Sequence, residues 1–287
     1  MATTVSQMWI YPLKSCRGIS LTQGQVTPKG FKWDREFMFV DENGKFITQR
    51  TYPQLARIQV EITGDYLSLT AEDNALETLQ LRPTLKGKEI AVNVWRSHLI
   101  AIDQGDEVAH WLQNFLEESK DFRLVRQVPQ YPRTVNPKYD IAQDSTVSFA
   151  DGYPFLLTAT ASLADLNDRI EKRYKNKQPP FPMTRFRPNI VIETEEPFME
   201  GKYQTIEIGE VTFAVVKPCD RCIITTTDQV TGKRNELQEP LKTLGTFRKF
   251  PGKGILFGEN LIPRNTGTIK VGEKVVFRDL KDNANSA

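Results

Sequence analysis

The sequence predicts a mainly β fold with a few helices, an α+β chain of two domains. Three observations carry that expectation. Most apolar segments are short, alternate with polar residues and end at Gly, Asn, Asp or Pro, the period-two signature of half-buried strands. Two longer segments instead repeat their apolar residues at three- and four-residue spacing, as an amphipathic helix does. The length, 287 residues, exceeds what one core of roughly 150 residues fills.

The elements follow in chain order. Phe37-Met38-Phe39-Val40 and Phe46-Ile47-Thr48 flank Asn43-Gly44, the dipeptide that best accepts the positive φ angles of a tight hairpin turn. Ile58 to Ile62 and Tyr66 to Leu69 form a second pair around Gly64-Asp65, and Val92 to Trp95 with Leu99 to Ile102 a third. From Asp106 to Glu118 the stripe Val108, Trp111, Leu112, Phe115 and Leu116 predicts a helix capped by Asp106. Val128 to Pro137, rich in turn formers, reads as the link between domains 1–127 and 128–280. A second helix is predicted over Ser162 to Arg173, with stripe Leu163, Leu166 and Ile170 and the capping-box pair Ser162 and Asp165. Strands return at Asn189 to Glu193, Thr205 to Ile208, Glu210 to Val216 and Ile223 to Thr226. A last hairpin is expected from Thr268 to Val271 and Lys274 to Phe277 around Gly272-Glu273, before a disordered tail over 281–287.

Composition narrows the function classes. The 38 Lys and Arg against 36 Asp and Glu leave a net charge of +2, too little for the broad positive field of non-specific nucleic-acid binding. An anion site must therefore be built from a few placed residues. No apolar run approaches the roughly 20 residues that cross a bilayer, and Met1 to Gln7 lacks the basic and apolar regions of a secretion signal. A cytoplasmic protein is the expectation. Cys16, Cys219 and Cys222 are too few and too unevenly placed for a disulfide framework.

Chemistry concentrates in Lys217-Pro218-Cys219-Asp220-Arg221-Cys222. The thiolate is the nucleophilic and metal-binding form of cysteine, and the neighbouring Arg221 and Lys217 favour it. The C-x-x-C spacing by itself serves a dithiol redox pair, half of a zinc site, or two buried thiols that act as small hydrophobes. Further zinc ligands would have to come from the scattered Cys16, His98 and His110. The thioredoxin-like βαβ surroundings of a dithiol enzyme are missing. His98 and His110 read as strand and helix surface residues, and Arg169, Lys172, Arg173, Lys175 and Lys177 as a solvated helix face.

Further motifs stand in fixed order along the chain: Tyr11-Pro12-Leu13-Lys14-Ser15, Asp34-Arg35, Phe149-Ala150-Asp151-Gly152-Tyr153-Pro154-Phe155, Phe186-Arg187-Pro188-Asn189-Ile190, the cysteine segment, and Gly267-Thr268-Ile269-Lys270-Val271-Gly272. Together they resemble the MOSC proteins, named after the C-terminal domain of molybdenum cofactor sulfurase. Within that family they resemble the bacterial reductases of N-hydroxylated base analogues and the mitochondrial amidoxime reducing component. The resemblance implies an N-terminal MOSC-associated β-barrel and a C-terminal MOSC β-barrel, with a molybdopterin-type molybdenum cofactor between them. It implies Cys222 as the metal ligand and catalytic residue, a thiolate suited to a soft metal site. By the same correspondence Lys14, Ser15, Arg35, Gly152, Tyr153, Arg187, Asn189, Asp220 and Arg221 lie around the cofactor. The arginine forks suit phosphate and pterin acceptors. Gly152 and Tyr153 stand where the mitochondrial relatives carry hydroxyl residues, so a backbone role carries over; Asp220 replaces a Ser.

The implied activity is reduction of N-hydroxylated substrates such as hydroxylaminopurines and amidoximes to amino compounds, by oxygen-atom transfer to molybdenum. No G-x-G-x-x-G and no four-cysteine cluster is present, so neither flavin nor iron–sulfur centre is expected within the chain. The electron donor is expected to be an external flavoprotein or ferredoxin-type protein. A non-catalytic carrier of cofactor or sulfur is the rival of a different class.

Overall fold

The computed structural model describes residues 3–71, 76–141, 145–175 and 177–281. Its largest sheet has nine strands. Across it run Ile19–Leu21, Thr4–Ile10, Ile190–Glu193, Phe155–Ala159, Gly254–Pro263, Val211–Asp220, Tyr203–Ile208 and Val275–Leu280, with Lys249–Phe250 beside Gly254–Pro263. All pairs are antiparallel except Phe155–Ala159 with Ile190–Glu193. Parallel neighbours need a long crossover, and the helix Thr160–Tyr174 supplies it. A four-stranded sheet orders Phe37–Val40, Arg123–Arg126, Ser97–Asp103 and Glu89–Val94, and a three-stranded one Ile58–Thr63, Tyr66–Ala71 and Leu79–Leu81. The mainly β expectation holds.

The two largest hydrophobic cores among the described residues lie against these sheets. The first gathers Leu13, Phe37, Phe39, Leu55, Val60 and Leu69 against Val108, Trp111, Leu112 and Phe115 of the helix Asp106–Leu116. The second gathers Phe155, Ile190, Phe213 and Leu261 with Val5, Met8, Ile10, Val26 and Phe31. The strands Thr4–Ile10 and Gln23–Thr27 thus pair with strands of the second half, through Met8 opposite Ile190 and Val26 opposite Gly267. Burying each of those Val, Met, Ile and Phe side chains contributes about 1.5–3 kcal/mol.

Several expectations need correction. Asp106 is the first residue of its helix and not the cap, which falls on Gly105. Its carboxylate instead binds Arg123 Nη1 at 2.7 Å. Ser162 and Asp165 form no capping box, because the helix begins two residues earlier at Thr160. The buried Ser162 hydroxyl accepts from Phe198 N at 2.8 Å and donates to Glu200, tying the helix to the following loop. Ile223 to Thr226 forms a 3-10 turn, not a strand; Thr225 and Thr226 bond back to the carbonyls of Cys222 and Ile223, the local competition by which Thr abandons a ladder. The last predicted hairpin splits: Gly267–Lys270 pairs with Gln23–Thr27, and Val275–Leu280 with Tyr203–Ile208. The predicted tail lies outside the described residues except for Lys281. His98, His110 and the five basic residues of the second helix and its end are exposed, as expected.

Candidate functional site

A cavity of about 770 Å³ opens between the two cores, and all ten residues singled out from the sequence line it. Five separate stretches bring them there. Lys14 and Ser15 follow the strand Thr4–Ile10, where Leu13 bridges to Phe37. Arg35 precedes Phe37–Val40, with its amide donating to Tyr11 O at 2.8 Å. Gly152 and Tyr153 lead into Phe155–Ala159, and Arg187 and Asn189 into Ile190–Glu193. Asp220, Arg221 and Cys222 close the ten-residue strand Val211–Asp220, whose register slips between Val215 and Lys217 and again between Pro218 and Asp220. Such bulges re-aim side chains, and here they turn the cysteine segment into the cavity.

The backbone is strained where the site is built. Ser15, Arg35, Arg187 and Trp95, all lining the cavity, have φ of 70°, 49°, 54° and 56°. A non-glycine residue in that region costs on the order of 1–3 kcal/mol and persists only where surrounding contacts enforce it. The contacts are visible for Arg35: Nη1 donates to Asp34 Oδ2 at 2.7 Å and to Asn189 Oδ1 at 3.0 Å, and Nη2 to Arg187 O at 3.1 Å. Asn189, 2% exposed, also accepts from Leu156 N at 3.1 Å and donates to Trp9 O at 3.2 Å. Arg187 donates to Cys16 O at 2.7 Å and Gln229 Oε1 at 3.0 Å. Burial draws its guanidinium pKa down to about 10.

A second polar group converges on the cysteines. Lys14 Nζ donates to Phe149 O at 2.8 Å and to Asp151 Oδ1 at 2.5 Å. Burial lowers this ammonium to about 8, against the attraction of Asp151. Enclosure opposes ionisation of Asp151, but Lys14 and Arg50, with hydrogen bonds from Lys14 and Trp95, hold its carboxyl well below the usual range. Arg50 stacks on Trp95 at 4.7 Å and places Nη2 3.2 Å from Cys222 Sγ. On the other side Arg221 donates to Cys219 Sγ at 3.0 Å and to Phe186 O at 2.5 Å. Burial pushes the Cys219 thiol up. Asp220 Oδ1 accepts from Ile255 N at 3.1 Å, fixing the turn. All three cysteines are free thiols.

Sequence reasoning missed Thr48, Arg50, Trp95, Arg96 and Asp151, which also line the cavity. Asp151 stood inside a quoted motif and was readable as the counter-ion of Lys14. Arg50, Trp95 and Arg96 carried no local signal, because their role arises only when three loops meet.

The lining fits a large anionic group with many acceptors. Lys14, Arg50, Arg96, Arg187, Lys217 and Arg221 face it against the carboxylates of Asp151 and Asp220. Arg221 Nε is buried without a partner, and a Cβ on Gly152 would meet nothing within 4 Å, so a donor and open space remain for a ligand. Among the described residues no three His, Cys, Asp or Glu side chains converge as a metal site, so any metal held through Cys222 would need other ligands from a bound group.

A mainly β chain whose bulged strand Val211–Asp220 runs into Cys222 at a cationic cleft is of the MOSC class. The model of the MOSC N-terminal beta barrel domain matches residues 2–119, and that of the MOSC domain residues 144–276. The chain belongs to the MOSC family. It is 36% identical to mitochondrial amidoxime-reducing component 1 of Homo sapiens, over 95% of this chain and 82% of that protein. The Mus musculus counterpart is 34% identical over 95% and 81%. Molybdenum cofactor sulfurase of Danio rerio is 32% identical over 85% of this chain but 30% of its own length. Among the described residues no helix is long and apolar enough to cross a membrane.

Proposed function

We propose that this chain is a molybdenum-cofactor reductase of N-hydroxylated compounds, such as hydroxylaminopurines and amidoximes. The observation that carries the reading is the convergence of Cys222, with the Arg50 guanidinium 3.2 Å from its sulfur, on a cleft lined by cations from separate stretches of chain. The relatives named amidoxime-reducing components supply the reaction class. When bound, the cofactor supplies the two-electron removal of oxygen from R–NH–OH, giving R–NH₂ and water with two protons and two electrons from an external flavoprotein or ferredoxin-type donor.

The chain's own residues hold and orient. Cys222 offers a soft thiolate ligand. Lys14, Arg187 and Arg221, with Ser15, Asn189 and the backbone at Gly152 and Tyr153, offer donors for the anionic and pterin parts. Arg35 acts one step removed, fixing Asn189 and the Arg187 carbonyl. Arg50 sets the electrostatics at the sulfur, as neighbouring donors tune a ligand.

The test is purification from a cofactor-competent host, followed by metal analysis and assay with a hydroxylaminopurine and an artificial electron donor. About one molybdenum per chain is expected, as for a single thiolate-ligated site. Cys222→Ser should keep the fold and abolish turnover, whereas Cys219→Ser should be milder. Equal, molybdenum-independent losses would assign the cysteines to dithiol chemistry instead. Full occupancy without turnover would make the chain a carrier.

A further inference from the structure

A second cavity, of about 590 Å³, lies beside the strand Val211–Asp220 and shares only Lys217 with the first. Lys217 and Pro218, at the start of the cysteine segment, line it, but the proposed reaction does not use it. Five cations line it from five separate places. Lys138 belongs to the 3-10 turn Pro137–Tyr139, and Lys217 to the long strand. Lys253 precedes the strand Gly254–Pro263 and Arg264 follows it, while Lys281 follows Val275–Leu280. Among the described residues the lining holds a single carboxylate, Asp140, which already accepts from Ser145 N at 3.2 Å.

Gathering like charges from distant stretches is unfavourable unless a counter-charge answers them. Among the described residues, Lys138, Lys217, Lys253 and Arg264 have no carboxylate within ion-pair distance. Lys281 lies 3.8 Å from Glu259 and has that carboxyl as its partner. Besides Gln204 the remaining wall is apolar and aromatic, including Val216, Leu256 and the Tyr139 ring, with Lys138 and Lys217 ammoniums 5.5 and 5.8 Å from its centre. Cations around a concavity, with an aromatic face among them, suit a compact polyanion better than an extended protein surface.

We propose that this second cavity is a binding site for a polyphosphate-bearing small molecule, with Lys138, Lys217, Lys253 and Arg264 as its counter-charges. Apart from the shared Lys217 the site is separate from the cysteine cleft, and it does not depend on molybdenum.

Calorimetric titration of the full chain at physiological salt with ATP, inorganic triphosphate and adenosine tests it. ATP and triphosphate should bind and adenosine should not. Tighter binding of ATP than of triphosphate would identify a nucleotide as the source of the phosphates, and equal binding a free polyphosphate. The paired variant Lys138→Gln with Arg264→Gln, at two exposed positions, should weaken both ligands by about tenfold or more through loss of charge-assisted contacts, with its melting temperature unchanged. Arg221→Ala, in the other cavity, should leave the affinities as they are. Failure of both anions to bind, unchanged affinity in the paired variant, or loss of binding in Arg221→Ala would each overturn the proposal.

Discussion

At the scale of the residue, Tyr11 organises the arginines of the site. The Arg35 and Arg187 guanidiniums lie 4.3 and 4.2 Å from its ring centre, and burial raises its hydroxyl to about 12. The sequence marks both arginines as ligand forks, since their motifs say nothing of who receives their hydrogen bonds. In the structure Arg35 is committed to Asp34, 1% exposed, and burial pushes that carboxyl's pKa up even beside its arginine. Arg35→Ala would strand a buried carboxyl, at a cost of about 3–5 kcal/mol. The urea midpoint should drop accordingly even in protein free of cofactor. An unchanged midpoint, with only ligand occupancy lowered, would return Arg35 to the ligand. Arg50, by contrast, contacts the cysteine sulfur but was not legible, because Thr48-Gln49-Arg50 has no chemical signature until Trp95 and Asp151 pack around it.

At the scale of the element, the hairpins with local turn chemistry were the readable ones. Asn43-Gly44 sits in the turn after Phe37–Val40, with Gly44 at φ 69° and Val40 bridged to Phe46, but the expected second strand Phe46-Ile47-Thr48 forms no more than that isolated bridge. A Cβ on Gly44 would collide with the Ala91 carbonyl oxygen. Gly44→Ala should therefore cost on the order of 1–3 kcal/mol from backbone strain alone, read as a lower urea midpoint at unchanged slope. A wild-type midpoint would show that the turn relaxes freely. The helix stripes were legible for the same reason: Val108, Trp111, Leu112 and Phe115 repeat along their own segment and face one core. The helix starts were not, since Asp106 and Ser162 found partners in Arg123 and Glu200, far away in sequence, that outcompeted capping. The split of the last hairpin has the same origin, because Gly267–Lys270 meets a strand from the chain's beginning.

At the scale of the whole molecule, the two halves are interleaved rather than joined end to end. The boundary proposed at residues 127 and 128 falls between the two matched family regions, yet Val5, Met8, Ile10, Val26 and Phe31 fill the core of the second half. A fragment of residues 128–287 would lack those side chains and the partner strand of Ile190–Glu193. It should show no cooperative thermal transition by circular dichroism, and regain one when the N-terminal residues 1–127 are supplied. A sharp transition in the isolated fragment would mean that the second core closes without the first strands. By itself the sequence determined the mainly β class, the hairpins with their own turns, the two helical stripes and the ordered motifs that mark the cleft, because each is written in neighbouring residues. Only the tertiary structure decided the strand order, the internal commitment of Arg35, the placing of Arg50 on Cys222 and the second cationic cavity. Those depend on which distant segments meet, and contact between residues more than a hundred positions apart is set by packing and burial, which no local pattern encodes.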